Sequence, residues 1–463
     1  MVATAMQAGD ATIVNVVLPH LEHDFGGGMA LGAWVMTSYL CANAVVAPLT
    51  GWLSRRYGAQ YLFTRAVTLF ILASLLCAVA PSTPAIIAFR IVQGAAGGVI
   101  HPMAQAILLD IHPKQRHGWV LGMWGAAAMA GPILGPALGG IITDLSSWRW
   151  AFAINLPIGL LVLLGTWRVA PQASTNRALP IDGVGIVLLI AAIGALQLFL
   201  ERSVGRSWLE SPELAAEASI AVLAVLLIAA RARRLPFTLL RLEVFKDVNF
   251  AVAAFYNFMM SALLFTAIVF IPALGEGPLG YPATLAGLTI VPRAVLMMLV
   301  MLAAGRLIGK VNYRILLALG WFLMAAGLTM LSTIPPERAL FLLIAGSSVQ
   351  ALGAGLLITP LSTLAFSTLP ADRRTDAAGL YSLLRQLGCA CGVALMTAVL
   401  AAKLGAYLAA PMVQAAGGAG RTLATLRAYA ECFRLMAIAS LIVAPGILLF
   451  RLDAAANAVK EAV

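Results

Sequence analysis

Apolar runs of about 20 residues follow one another along the whole chain, joined by short polar connections, and each can cross a hydrocarbon layer of about 30 Å. In such a layer the backbone must satisfy its own hydrogen bonds, which leaves helices as the simple solution for runs of this kind. Composition agrees: 61% of the 463 residues are hydrophobic and 11% are charged, against roughly 25% charged in a soluble domain. The expected fold class is therefore an all-α polytopic membrane protein.

Fourteen candidate spans lie at roughly 2–20, 31–53, 61–80, 84–108, 117–143, 149–168, 182–200, 214–232, 249–272, 283–304, 313–333, 339–368, 376–402 and 429–450. The net charge of +11 does not point to nucleic acid, because no basic stripe with interleaved aromatics occurs. Lys and Arg gather instead in alternate connections, among them Arg55, Arg56, Lys114, Arg116, Arg231, Arg233, Arg234, Arg306, Lys310, Arg373 and Arg374. The positive-inside rule then predicts an even number of spans with both termini in the cytoplasm. The first span is expected to serve as its own targeting signal. The longest cytoplasmic connections flank spans seven and eight. They divide the chain into a six-helix bundle at 1–168, an inserted pair at 169–235 and a second six-helix bundle at 236–463. Paired six-helix halves are a common transporter architecture, with substrate bound between them. Glycine-led turns bearing cations, Gly51 to Gly58 and Gly305 to Lys310, hint at the repeat.

Ionisable groups inside a membrane are costly and mark functional positions. Asp10 sits midway along the first span. A carboxyl group there can load and release a proton, because burial works against its charged form. Thr12 and Asn15 are placed to offer it hydrogen bonds; the plainer alternative is a helix cap at the interface. Arg90 lies in span four with Gln93 three residues on, so the two share a helical face. Arg90 requires a partner, either as a cation tuning Asp10 or as a structural lock between helices. Arg293 and Arg385 also fall within spans. Glu201 beside Arg202 ends span seven and is the third proton-coupling candidate, with a snorkelling surface pair as the alternative. Substrate-cavity candidates are Asn15, Gln93, Trp34, Tyr39, Tyr256 and Asn257, polar or aromatic residues inside apolar spans. Methionines and aromatics crowd spans nine and ten, which suits varied apolar ligands and lipid contact equally.

The Gly131-Pro-Ile-Leu-Gly-Pro-Ala-Leu-Gly-Gly140 segment places glycines at every fourth position on one helix face. Such a face admits another helix at backbone contact. No metal site is expected: His20, His23 and Asp24 come from one helix, which rarely supplies a full ligand set. The five cysteines read as small buried side chains. No nucleophile with its base, and no phosphate-binding GxxxxGK[ST] loop, is present, so neither an enzyme nor a chain that hydrolyses ATP is expected.

Several of these stretches resemble one family. Gly131-Pro132, Gly135-Pro136 and Gly139-Gly140 resemble the antiporter motif of the major facilitator superfamily, Arg90-x-x-Gln93-Gly94 its span-four motif, and Gly51 to Gly58 its loop 2–3 motif. The segments Asp10 to Pro19 and Ser147 to Gly159 are similar to the fourteen-span drug:proton antiporter branch. Leu200-Glu-Arg with Ser207-Trp208, and Gly280-Tyr-Pro with Pro292, resemble its EmrB-type multidrug exporters. The resemblance implies the major facilitator fold, with two inserted helices, in the bacterial inner membrane. It implies export of structurally varied apolar drugs by alternating access, driven by the proton gradient with no cofactor, or else a dedicated exporter of one siderophore, lipid or antibiotic. Asp10 would then be the proton-coupling carboxylate and Arg90 its modulator. Gly131, Pro132, Gly135, Pro136, Gly139 and Gly140 would form the hinge and seal, and Gly51, Arg55, Arg56 and Gly58 the inner-gate loop. Membrane lipid surrounds such proteins, and a periplasmic adaptor and outer-membrane channel are the implied partners. Two departures stand out. Arg55 occupies a position where the family carries an acid, so the usual inner-gate charge lock is not expected. Only nine residues precede Asp10, so either span one is short or the natural start lies upstream.

Overall fold

The computed structural model describes residues 1–25, 28–166, 182–202, 211–234, 241–282, 285, 288–333, 338–410 and 417–451; side chains of a few residues inside its helices, Asn15, Pro136 and Glu201 among them, lie outside the described set. Among the described residues the chain is helical, apart from one bridge between Ile308 and Val311. In chain order the helices are α1 (Val2–Phe25), α2 (Gly28–Val46), α3 (Thr50–Tyr57), α4 (Ala59–Ala78), α5 (Thr83–Ile111), α6 (His117–Leu145), α7 (Trp148–Ala153), α8 (Asn155–Thr166), α9 (Gly183–Arg202), α10 (Pro212–Arg234), α11 (Val248–Glu276), α12 (Val291–Leu307), α13 (Tyr313–Leu331), α14 (Ala339–Ser367), α15 (Ala371–Leu408) and α16 (Gly417–Val443). Counting α2–α3 and α7–α8 as interrupted single segments gives a number compatible with fourteen spans. Ten helical stretches among the described residues are long and apolar enough to cross a membrane.

Residues Met1–Leu196, Ser219–Asp247 and Leu369–Leu383 form one compact unit; Gln197–Ala218, Val248–Thr368 and Leu384–Val463 form another. In the first, α1 lies along α6, while α2 and α4 both pack on α5. In the second, α12, α13 and α11 pack on α14. The two units thus use the same plan, with the fourth span of each at its centre.

Local chemistry explains the helix ends. Gly58 closes α3 at φ +89° and Gly309 follows α12 at φ +84°, a left-handed conformation that glycine adopts without a Cβ clash. The two cation-bearing turns singled out in the sequence therefore end in the same kind of glycine stop. Asn312 caps α13, accepting from the Arg314 amide at 2.9 Å. The helix α6 runs unbroken through Pro132 and Pro136.

Candidate functional site

The ionisable groups that the sequence places inside the first unit meet there. Asp10 is 2% exposed, and Arg90 and Gln93 are fully buried. Arg90 Nη1 donates to Asp10 Oδ2 at 2.7 Å, and Gln93 Nε2 donates to Asp10 Oδ1 at 2.9 Å. Their three-residue spacing on α5 lets both reach one carboxylate, and Arg90 Nη1 also donates to Gln93 Oε1 at 2.8 Å. Asn155, the first residue of α8, gives the carboxylate a third donor: its Nδ2 lies 2.7 Å from Asp10 Oδ1 and 2.9 Å from Ser74 Oγ on α4. Ser74 in turn donates to the Phe152 carbonyl at 2.8 Å. The break between α7 and α8 puts Asn155 at this depth.

Charge and shape support the pair. The Arg90 guanidinium lies 4.2 Å from the centre of the Tyr39 ring, whose negative face attracts it. Tyr39 is held by Gln7, whose Nε2 donates to the phenol oxygen at 3.0 Å. Ile13, Val14, Val17, Val35, Ile86 and Phe152 belong to one buried apolar cluster, which Arg90 joins by a long 3.5 Å bond from Nε to the Val35 carbonyl. A carboxylate and a guanidinium in such surroundings need each other, because removing one leaves an uncompensated buried charge. Arg90 and Gln93 from α5 and Asn155 from α8 thus converge on one carboxylate of α1.

The glycine face of α6 meets the helix that carries this carboxylate. A Cβ built on Gly131 would stand 2.5 Å from the Gly9 amide nitrogen and 2.6 Å from the Ala5 carbonyl oxygen; one on Gly135 would stand 2.8 Å from the Gly9 carbonyl oxygen. Gly139 lies against Ile13, and Pro132 and Gly140 are half-buried. Gly9 immediately precedes Asp10, so any slide of α6 along α1 bears on the carboxylate's own backbone.

The inner-gate loop has the charge partner that its own sequence lacks. Arg55 donates to Asp376 Oδ2 near the start of α15, and Arg241 Nε stands 3.9 Å from the same oxygen. Beside them Arg374 Nη1 donates to Asp110 Oδ1 at 3.0 Å. Although the motif's own acid is missing, Arg55 on α3 has a carboxylate partner on α15. Gly51 makes the close approach possible, since a Cβ there would sit 2.6 Å from Asp376 Cα. Arg56 stacks near the Trp52 ring at 5.5 Å.

The remaining candidates scatter. Gln93 and Tyr39 belong to the carboxylate site just described. Trp34 is 42% exposed. In the second unit Tyr256 donates its hydroxyl to the Val443 carbonyl at 2.6 Å and meets Trp321 edge-on, and Asn257 is buried. The side chains of Asn15 and Glu201 lie outside the described residues. Arg202 donates to Glu217 at 3.1 Å. Thr12 turns its hydroxyl back to the Gly9 carbonyl at 3.0 Å rather than to Asp10. Asp24 accepts from the Trp148 indole at 2.7 Å, a latch between α1 and α7. Asn155 and Asp376 were not singled out in the sequence: Asn155 is a lone polar side chain where α8 begins, whereas Asp376 stands among the charges Asp372, Arg373 and Arg374 near the start of α15.

A polytopic helical protein with a carboxylate–guanidinium pair buried inside one of its two units is the class that fold and site define. The pattern of the Major Facilitator Superfamily matches residues 1–393, and the chain belongs to that superfamily. It is 34% identical over 397 residues to the multidrug export protein EmrB of Haemophilus influenzae, covering 85% of this chain and 78% of that one. It is 33% identical over 398 residues to EmrB of Escherichia coli, with the same coverage. Among solved structures the human organic anion transporter MFSD10 matches with a TM-score of 0.66 at 16% identity, covering 97% of both chains, a likeness of fold.

Proposed function

We propose that this chain is a proton-coupled antiporter that exports structurally varied apolar drugs across the bacterial inner membrane by alternating access. The observation that carries this reading is the Asp10 carboxylate, sealed from solvent and held by donors from α5 and α8. The kinship with multidrug export proteins supplies the direction and the cargo.

In the proposed cycle Asp10 gives up its proton toward the cytoplasm and takes the three donors. Drug then binds, the protein turns outward, and a periplasmic proton on Asp10 frees Arg90 and favours release and return. Arg90 modulates the carboxylate; Gln93, Asn155 and Tyr39 position the two charges. The α6 glycine face would serve as hinge and seal against α1, and Arg55 with Asp376 as the inner-gate lock. Glu201 remains the second candidate carboxylate. Neither metal nor cofactor enters the cycle. Both termini are placed in the cytoplasm, and a periplasmic adaptor with an outer-membrane channel completes the proposed path out of the cell.

Dye efflux from everted vesicles, with and without an imposed pH gradient, tests the reading. Gradient-driven movement that a protonophore abolishes is expected of the natural chain. Asp10→Asn is expected to keep the fold and drug binding but lose that movement; undiminished efflux would remove Asp10 from the mechanism. A chain that moves a single compound and no dye would instead be the dedicated metabolite exporter.

A further inference from the structure

A second cation lies buried in the other unit, and among the described residues no acid pairs with it. Arg293, in the first turn of α12, is 2% exposed. Its Nη2 donates to the Leu264 carbonyl of α11 at 3.2 Å, and its Nη1 is buried without a hydrogen-bond partner. From Val248 through Ala371 the sequence holds only two acidic residues, Glu276 and Glu337. Glu276 ends α11, twelve residues beyond Leu264, or about 18 Å along a helix, and its side chain is exposed. No ion pair among the described residues involves Arg293. The contrast with Arg90, which has a carboxylate at 2.7 Å, is plain.

A second polar side chain reaches the same turn of α11. Gln350 on α14, fully buried, donates Nε2 to the Leu263 carbonyl at 3.3 Å, and its Oε1 has no partner. Two helices thus send polar side chains to consecutive carbonyls on the same turn of α11. Each leaves its outer half unused, one a donor and the other an acceptor. A buried charge without a counter-ion is expensive, and membrane arginines of this kind mark ligand paths. Guanidinium geometry suits a carboxylate above other anions of similar size that lack a planar pair of oxygens. A carboxyl group matches both orphans, accepting from Nη1 and, when it holds its proton, donating to Oε1.

We infer that Arg293 and Gln350 form a subsite for the carboxyl headgroup of amphiphilic acids, with the apolar tail taken up by the surrounding spans. This deepens the exporter reading and rests on it: acids would be one class of cargo, met by a cation in the second unit rather than by Asp10. The pair is covered in the conformation described here, so access to it accompanies the turnover of the transporter.

The test compares three headgroups on one tail. Labelled decanoate is bound to the purified full chain and displaced by unlabelled decanoate, decanol or decyltrimethylammonium. Decanoate is expected to displace at least about tenfold better than the other two, the size of a hydrogen bond to a charged group. Arg293→Gln is expected to erase that preference, and Arg293→Lys to keep part of it. Absence of decanoate binding, equal displacement by decanol, or an Arg293→Gln protein that keeps the preference would overturn the subsite. Should Arg293→Gln fail to fold, the headgroup series on the natural chain and on Arg293→Lys decides. Gradient-driven efflux of a cationic dye, measured alongside, separates the two ideas: its loss in the natural chain would sink the exporter reading even with the carboxylate preference intact.

Discussion

Asp10 owes its position to residues far away in sequence: Arg90 and Gln93 on α5, and Asn155 at the start of α8. The sequence could point to Asp10, Arg90 and Gln93, because a charge or an amide inside an apolar run is conspicuous and a three-residue spacing fixes a shared face. It could not pair them, nor find Asn155, since nothing local in α8 says that the Asp10 carboxylate of α1 lies 2.7 Å from the Asn155 amide. Pairing has an energetic consequence that can be measured. Arg90→Gln strands a buried carboxylate and is expected to lower stability by about 3–5 kcal/mol. Adding Asp10→Asn to that variant removes the second charge and is expected to recover more than half of the loss. Thermal unfolding of the two single variants and the double one reads this directly; additive losses would show that the ions do not depend on each other.

Helix α6 shows how an element can be legible while its partner is not. The four-residue glycine period announced a face for close packing, and the structure supplies α1 as the neighbour and Gly9 as the contact. The second unit repeats the device: a Cβ on Gly388 of α15 would lie 3.0 Å from the Phe258 carbonyl carbon on α11, and one on Gly392 would lie 2.5 Å from Ala262 Cα. That pair escaped notice because cysteines and an alanine surround it rather than prolines. Gly135→Leu is expected to abolish transport at normal expression, since the side chain would have to displace α1 backbone beside Asp10. Gly194 of α9 has open space where its Cβ would go, so Gly194→Leu should leave transport within about twofold, consistent with the small effect of surface substitutions. Dye efflux at matched protein levels checks both. Normal efflux by Gly135→Leu would mean that the α1–α6 contact does not matter to the cycle.

At the scale of the whole molecule, hydropathy made the helical membrane fold legible, because a backbone in lipid has so few alternatives. The interruptions were harder: α2–α3 and α7–α8 each read as one apolar run, yet each is broken, and the second break delivers Asn155. The Arg55–Asp376 ion pair was hidden for a different reason. A loop motif names its own residues, whereas Asp376 lies 321 positions from Arg55 and reads locally as one more charge beside Arg373 and Arg374. What the charge pattern does dictate is orientation, which depends on Lys and Arg near the membrane surface and on an even count of spans. The cation-rich end of α10, with Arg231, Arg233 and Arg234, is expected in the cytoplasm together with the C-terminus, and the connection after α15 is expected outside. Alkaline phosphatase fused after Ala410 should therefore be active, and the same reporter fused after Arg234 should be inactive. A fluorescent protein at the C-terminus should fold and shine, as it does only on the cytoplasmic side. An active reporter after Arg234 would overturn the cytoplasmic placement of that end of α10.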